Sequence, residues 1–125
     1  MKKVITAKQW REMHSSKGKR RGKYNAIRTP GKDCAGNDRT FDSTLEAKIA
    51  GDLQALKSAG EITGWIRQVK FDLPGNTSHR IDFLVFLPDG RYRLIEAKGY
   101  DHPAGIKARK QVQGIYGIKI EVLKK

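Results

Sequence analysis

The part of this chain that most restricts its fold runs Arg80-Ile81-Asp82-Phe83-Leu84-Val85-Phe86-Leu87, then Pro88-Asp89-Gly90, then Arg91 through Glu96-Ala97-Lys98. Two apolar-rich runs separated by three residues ending in glycine suit a β-hairpin whose loop is a type I turn with Gly90 in the left-handed conformation. Such a loop sets the register. With Leu87 opposite Arg91, counting outward places Phe86 opposite Tyr92, Leu84 opposite Leu94, Asp82 opposite Glu96 and Arg80 opposite Lys98.

Two carboxylates then face each other across the hairpin. Directly opposed side chains have Cβ atoms roughly 5 Å apart, and like charges there are destabilising unless something offsets them. A hard divalent cation offsets them, because it takes carboxylate, water and phosphate oxygens as ligands. Lys98, two residues past Glu96, projects from the same face. Each residue also has an ordinary reading: Glu96 and Lys98 as polar strand-end residues, Asp82 as the partner of Arg80 or Arg93. That reading weakens because Asp82 interrupts an apolar strand and Glu96 directly follows Leu94-Ile95, and ionisable groups among apolar neighbours need a partner or a metal.

With 125 residues the chain is long enough for one compact domain and too short for two good cores. A formal charge of +13 points to a polyanionic partner, most simply nucleic acid, with an acidic membrane surface as the weaker alternative. The charge is uneven: residues 1–32 hold eleven Lys or Arg against the single acid Glu12. The run Lys17-Gly18-Lys19-Arg20-Arg21-Gly22-Lys23 has no apolar periodicity, so residues 1–22 read as a flexible basic arm and 23–125 as the folded domain. A merely solvated basic tail is the ordinary reading of that run. One cysteine, Cys34, rules out an internal disulfide, and no Cys/His group has zinc spacing. Neither a signal peptide nor a membrane span is legible, so a reducing, cytoplasmic setting is expected.

Residues 6–13 suit a short helix, and residues 14–40, with Gly18, Gly22, Pro30, Gly31 and Gly36, suit loop or extended chain. Ser43-Thr44-Leu45-Glu46 is a capping-box pattern opening a helix whose stripe is Leu45, Ile49, Leu53 and Leu56, stopped by Gly60. On a helical wheel Glu46 sits about 55° from the stripe's centre, at its border; bonding back to Ser43 is function enough for it. Residues 64–73 alternate, placing Trp65, Val69, Phe71 and Leu73 on one face against Ile66, Gln68, Lys70 and Asp72. Pro103 opens a helix reaching about Gly114, with Lys107, Arg109 and Lys110 outside and Ile106, Val112 and Ile115 toward the core. Ile118, Ile120 and Val122 then alternate as a last strand. The expected fold is α/β: helix, antiparallel three-strand meander, crossover helix and a parallel strand, forming a mixed sheet flanked by helices.

A helix with Glu46, a hairpin strand with Asp82 and a strand ending Glu96-Ala97-Lys98, followed by helix and strand, resembles the αβββαβ core of the restriction-endonuclease-like PD-(D/E)XK nuclease superfamily. Tyr24-Asn25-Ala26, Phe41-Asp42-Ser43 with Glu46-Ala47, the Gln68 strand and Glu96-Ala97-Lys98-Gly99 are similar to a small phage and prophage nuclease family likened to Holliday-junction resolvases. The resemblance covers residues 23–123. It departs in having Ile81 where the superfamily motif has proline.

The resemblance implies a Mg²⁺- or Mn²⁺-dependent DNA endonuclease cutting branched DNA such as Holliday junctions, with two active sites in a homodimer. It implies catalytic roles for Glu46, Asp82, Glu96 and Lys98, with Asp82, Glu96, the Ala97 carbonyl and Glu46 as metal ligands. Gln68 is a further contact to water or phosphate, or an ordinary strand polar residue. Lys17, Lys19, Arg20, Arg21, Lys23, Lys107, Arg109 and Lys110 are the expected phosphate contacts. Two other readings stay open: a nicking or single-strand nuclease, and a non-catalytic nucleic-acid-binding module with a remnant acidic patch. The setting implied for a phage-encoded protein is the bacterial host cytoplasm.

Overall fold

A computed structural model describes residues 27–124. The expected basic arm with Lys17, Lys19, Arg20, Arg21 and Lys23, and the helix expected at 6–13, lie outside these residues. The described chain runs β1 (Thr29–Lys32), β2 (Asp38–Phe41), α1 (Thr44–Ser58), β3 (Gly64–Leu73), β4 (Thr77–Phe86), β5 (Tyr92–Lys98), α2 (Pro103–Tyr116) and β6 (Ile120–Lys124). From α1 onward this is the order read from the sequence. The sheet order is β3-β4-β5-β6, antiparallel except for β6, which lies parallel to β5. Among the described residues no helix is long and apolar enough to cross a membrane.

The β4–β5 loop is the expected one. Gly90 has φ +90°, Gly90 N–H donates to Leu87 O, and Leu87 N–H donates to Arg91 O at 2.9 Å. The register follows, with Phe86 opposite Tyr92 and Leu84 opposite Leu94. The ladder, however, ends at Phe83 opposite Ile95, one step short of the expected Asp82–Glu96 pairing.

Residues 14–40 were expected as loop or extended chain, and the described part of that range is extended and pairs as a β-hairpin, Thr29–Lys32 with Asp38–Phe41. Asp33 makes the turn: its carboxylate accepts from the Ala35 and Asn37 N–H groups at 3.0 and 2.9 Å, while Gly36 takes φ +89°. Asn and Asp side chains stabilise turns by such bonds to the following backbone. Buried Phe41 then ties the hairpin to the main core.

Helix α1 starts where Ser43, in extended conformation, accepts from the Glu46 N–H at 3.1 Å. Such a cap contributes about 1 kcal/mol. Leu45, Ile49 and Leu53 pack with Trp65, Phe83, Val85, Ile95 and Leu123 on one sheet face. On the other face, Val112 and Ala108 of α2 pack with Phe71, Leu73, Ile81, Leu94 and Ile120. Helix α2 runs past Gly114 to Tyr116 and ends on Gly117 at φ +66°. Ile115, expected near the core, is exposed.

The two cores expose a break in the expected alternation. Trp65 and Phe71 share a strand parity, yet one lies in the α1 core and the other in the α2 core; Phe83 and Ile81 divide in the same way. Both strands therefore change faces at one level. At that level Gln68 has φ +57°, and the pairing runs Arg67–Phe83, then Val69–Ile81, skipping Gln68 and Asp82. A left-handed residue turns the strand over without inserting an extra residue, so the register is kept while the faces exchange.

Candidate active site

The crossover is where the sequence-predicted acids gather. Asp82 loses its place in the ladder, and its carboxylate takes over a backbone role, accepting the Ala97 N–H at 2.8 Å on Oδ2. Its Oδ1 faces the Gln68 amide at 3.5 Å, so Gln68 is turned to the acid site by its own left-handed backbone. The N–H and C=O of one strand residue share an edge, which puts the Ala97 carbonyl on the Asp82 side as well.

Glu46 arrives from the first turn of α1 and is buried, with 8% of its surface exposed. The cap uses its N–H, and its carboxyl is pushed up to about 7, first by burial and then by the charges of Asp82 and Asp42. Arg67 and Lys98 oppose that rise. Asp82 is raised to about 6 by burial and by Glu96, against the Ala97 N–H and Lys98, which lower it. These two carboxyls thus stand near enough to destabilise each other's charge, in a place dry enough for this to matter.

Glu96 is fully buried but differently furnished. One of its oxygens meets His79 Nε2 of β4 in a short contact, and the other accepts from Arg109 Nη1 of α2 at 3.2 Å. Lys98 Nζ stands 3.6 Å from the same oxygen. Arg109 also clamps Asp101, with Nη2 to Oδ2 at 2.6 Å, and its hydrogen bond holds Asp101 below the usual carboxylate range.

Arg109 was expected on the exposed face as a phosphate contact, and this is corrected: it is buried between Glu96 and Asp101. Lys107 and Lys110 are exposed as expected. Burial of Arg109 has a positional cause, since it lies three residues from both Ile106 and Val112, on the helix stripe that meets the sheet. That spacing was the available signal for it. His79 had none, because it reaches Glu96 through the face exchange in β4.

Among the described residues, no three His, Cys, Asp or Glu side chains form a ready metal cluster. The chemistry of the donors nevertheless fits a hard divalent ion: buried Glu46 and half-buried Asp82 are oxygen donors whose mutual repulsion a cation would relieve. Glu96 fits less simply, because Arg109, His79 and Lys98 already compensate its charge.

Among the described residues, fold and site together define a mixed α/β protein with a four-stranded mixed sheet, two helices and an acidic site where β3 and β4 change faces. No protein-family model, curated protein or solved structure matches the chain.

Proposed function

We propose that this protein is a metal-dependent endonuclease that hydrolyses phosphodiester bonds in DNA, acting on branched structures such as Holliday junctions as a homodimer. The observation that carries the reading is the Glu46–Asp82 pair, a buried and a half-buried carboxyl with raised proton affinity beside Lys98 and the Ala97 backbone. A fold that keeps two acids at mutual cost, in a dry site, is poised for a cationic ligand.

Asp82, Glu46 and Glu96, with the Ala97 carbonyl, are the groups that would hold Mg²⁺ or Mn²⁺. Once bound, such an ion lowers the pKa of a water and neutralises charge on the scissile phosphate. Lys98 orients the attacking water through its ammonium and stabilises charge that grows on the phosphate oxygens. The Gln68 amide holds Asp82 from the neighbouring strand. Arg109 and His79 fix the rotamer of Glu96. Lys107, Lys110 and the basic N-terminal run contribute phosphate contacts that confer affinity with little base specificity. Two strands must be cut to resolve a junction, which is the reason for expecting a symmetric pair of protomers.

A second reading, a nucleic-acid-binding module without catalysis, is favoured by one observation: Glu96 is saturated by Arg109, His79 and Lys98. The two separate in one assay, cleavage of a synthetic four-way junction beside matched duplex and single-stranded DNA, with Mg²⁺, Mn²⁺ or chelator. Metal-dependent paired cuts, lost in Lys98→Ala, support the resolvase-like enzyme. Cuts confined to one strand or to single-stranded DNA indicate a nicking or single-strand nuclease. Binding without cleavage in every condition leaves the module.

A further inference from the structure

A groove of about 670 Å³ opens between the β1–β2 hairpin and the start of β3. Arg28, Lys32, Arg39 and Arg67 line it, against one carboxylate, Asp38. Two of these cations are already answered, Lys32 by Asp38 at 2.6 Å and Arg39 by Asp33 at 2.8 Å. Arg28 and Arg67 form no salt bridge among the described residues, so the groove keeps a positive excess in two places.

Arg67 is built in. Its guanidinium lies over the Phe41 ring, 5.4 Å from the centroid. That ring is itself buried and presses on Gly31 so closely that a Cβ there would fall 2.7 Å from Phe41 Cε2. The stack therefore holds the guanidinium in place, and its Nε–H is buried without an acceptor among the described residues. Part of the hydrogen-bonding capacity of this guanidinium is thus left unused inside the protein, which favours an anionic partner for the rest of the group. Guanidinium donors suit phosphate oxygens better than any other common anion except carboxylate.

The groove also lies next to the acid site. Arg67 immediately precedes Gln68, whose amide faces Asp82, and its positive charge opposes the raised proton affinity of Glu46. Arg28, at the other side, precedes β1 and is exposed. The occupant must accordingly carry repeated negative charge along a line, since Arg28 and Arg67 sit on separate segments of the groove wall and the whole chain carries +13. A phosphodiester backbone has that form.

We infer that the hairpin groove is a seat for the phosphodiester backbone of the DNA substrate, with Arg67 as its fixed anchor and Arg28 as its second contact, leading the strand toward the carboxylates. The inference rests on the proposed DNA-cleaving function and assigns phosphate recognition to residues other than the basic N-terminal run and α2. Both arginines position substrate and take no part in bond breaking.

The test is the salt dependence of binding to a labelled four-way junction, followed by fluorescence anisotropy with the full chain in chelator, so that no cutting intervenes. Arg28→Gln and Arg67→Met should each lower the slope of log affinity against log salt by about 0.9, the value for one phosphate contact on B-form DNA. In the double variant the affinity lost between about 50 and 200 mM salt should shrink by about 12-fold. Lys119→Gln, which removes an exposed cation at the start of β6, should leave the slope unchanged. The inference fails if the groove variants keep the wild-type slope, or if Lys119→Gln moves it as much. Arg28 is exposed and leaves the core untouched, so its variant decides the matter even if Arg67→Met folds poorly. Cleavage by wild type and Lys98→Ala is scored separately: loss of the enzyme reading leaves the slopes interpretable, and unchanged slopes leave the enzyme reading standing.

Discussion

Replacing Glu46 by Gln removes a charge that the fold holds at a cost, and its effect on stability must depend on pH in one direction. Burial and the neighbouring Asp82 raise the Glu46 carboxyl from 4.5 to about 7. The folded protein therefore keeps this proton at pH values where the unfolded chain has released it. Between those two values the native state binds more protons, so unfolding free energy falls as pH rises. At 1.36 kcal/mol per unit, the full penalty above pH 7 is about 3 kcal/mol. Glu46→Gln should match wild type near pH 4 and exceed it at pH 8 by about that amount, or on the order of 10 °C in Tm for a domain of this size. Urea or thermal unfolding of both proteins from pH 4 to 8 measures it. Adding Mn²⁺ at pH 8 should narrow the gap, because a ligand bound only by the folded protein stabilises it by mass action. A difference that stays flat across the pH range, or a variant less stable than wild type at pH 8, would refute the reasoning. Junction cleavage by the variant should be lost even as its stability rises, the trade expected where an active site is held against its own repulsion.

Gln68→Gly should raise stability by roughly 1 kcal/mol at the left-handed position, whereas Gln68→Val should lower it by more than that, since a β-branched residue resists φ near +57°; urea midpoints decide both. Arg109→Met leaves Glu96 and Asp101 without their shared cation and should cost about 3–5 kcal/mol, with the loss visible in urea unfolding at pH 7.

The hairpin, its register near the turn, the α1 cap and the parallel return of β6 were all legible, because each depends on local rules: Gly90 at a left-handed turn position, Ser43 at a cap, apolar residues at regular spacing. The candidate acids Asp82 and Glu96 were legible as charges placed among apolar neighbours, while Glu46, at the border of its helix stripe, entered the site through the family resemblance. What escaped was set by tertiary context. Gln68 gives no local warning of positive φ, since glutamine has no special tolerance of it, and so the exchange of faces in β3 and β4 could not be read from an alternation that looked regular. Arg109 was assigned to solvent on residue type, although its place in the Ile106–Val112 stripe argued for the interior; its partners Glu96 and Asp101 come from β5 and the following loop. The β1–β2 hairpin escaped because Pro30, Gly31 and Gly36 signal breaks, while Asp33 and the packing of Phe41 on Gly31 supply the order.

The left-handed turn at Gln68 also bears on how copies of this chain meet. Strand β3 is one of the two outer strands of the four-stranded sheet and the longer of them, and a long, flat outer strand invites pairing with another molecule. Reversal at Gln68 divides that border into two pieces, each of five residues or fewer, whose hydrogen-bonding directions do not continue into one another. Arg67 and Lys70 add charge on either side of the break. A second copy is thereby disfavoured from extending the sheet along β3.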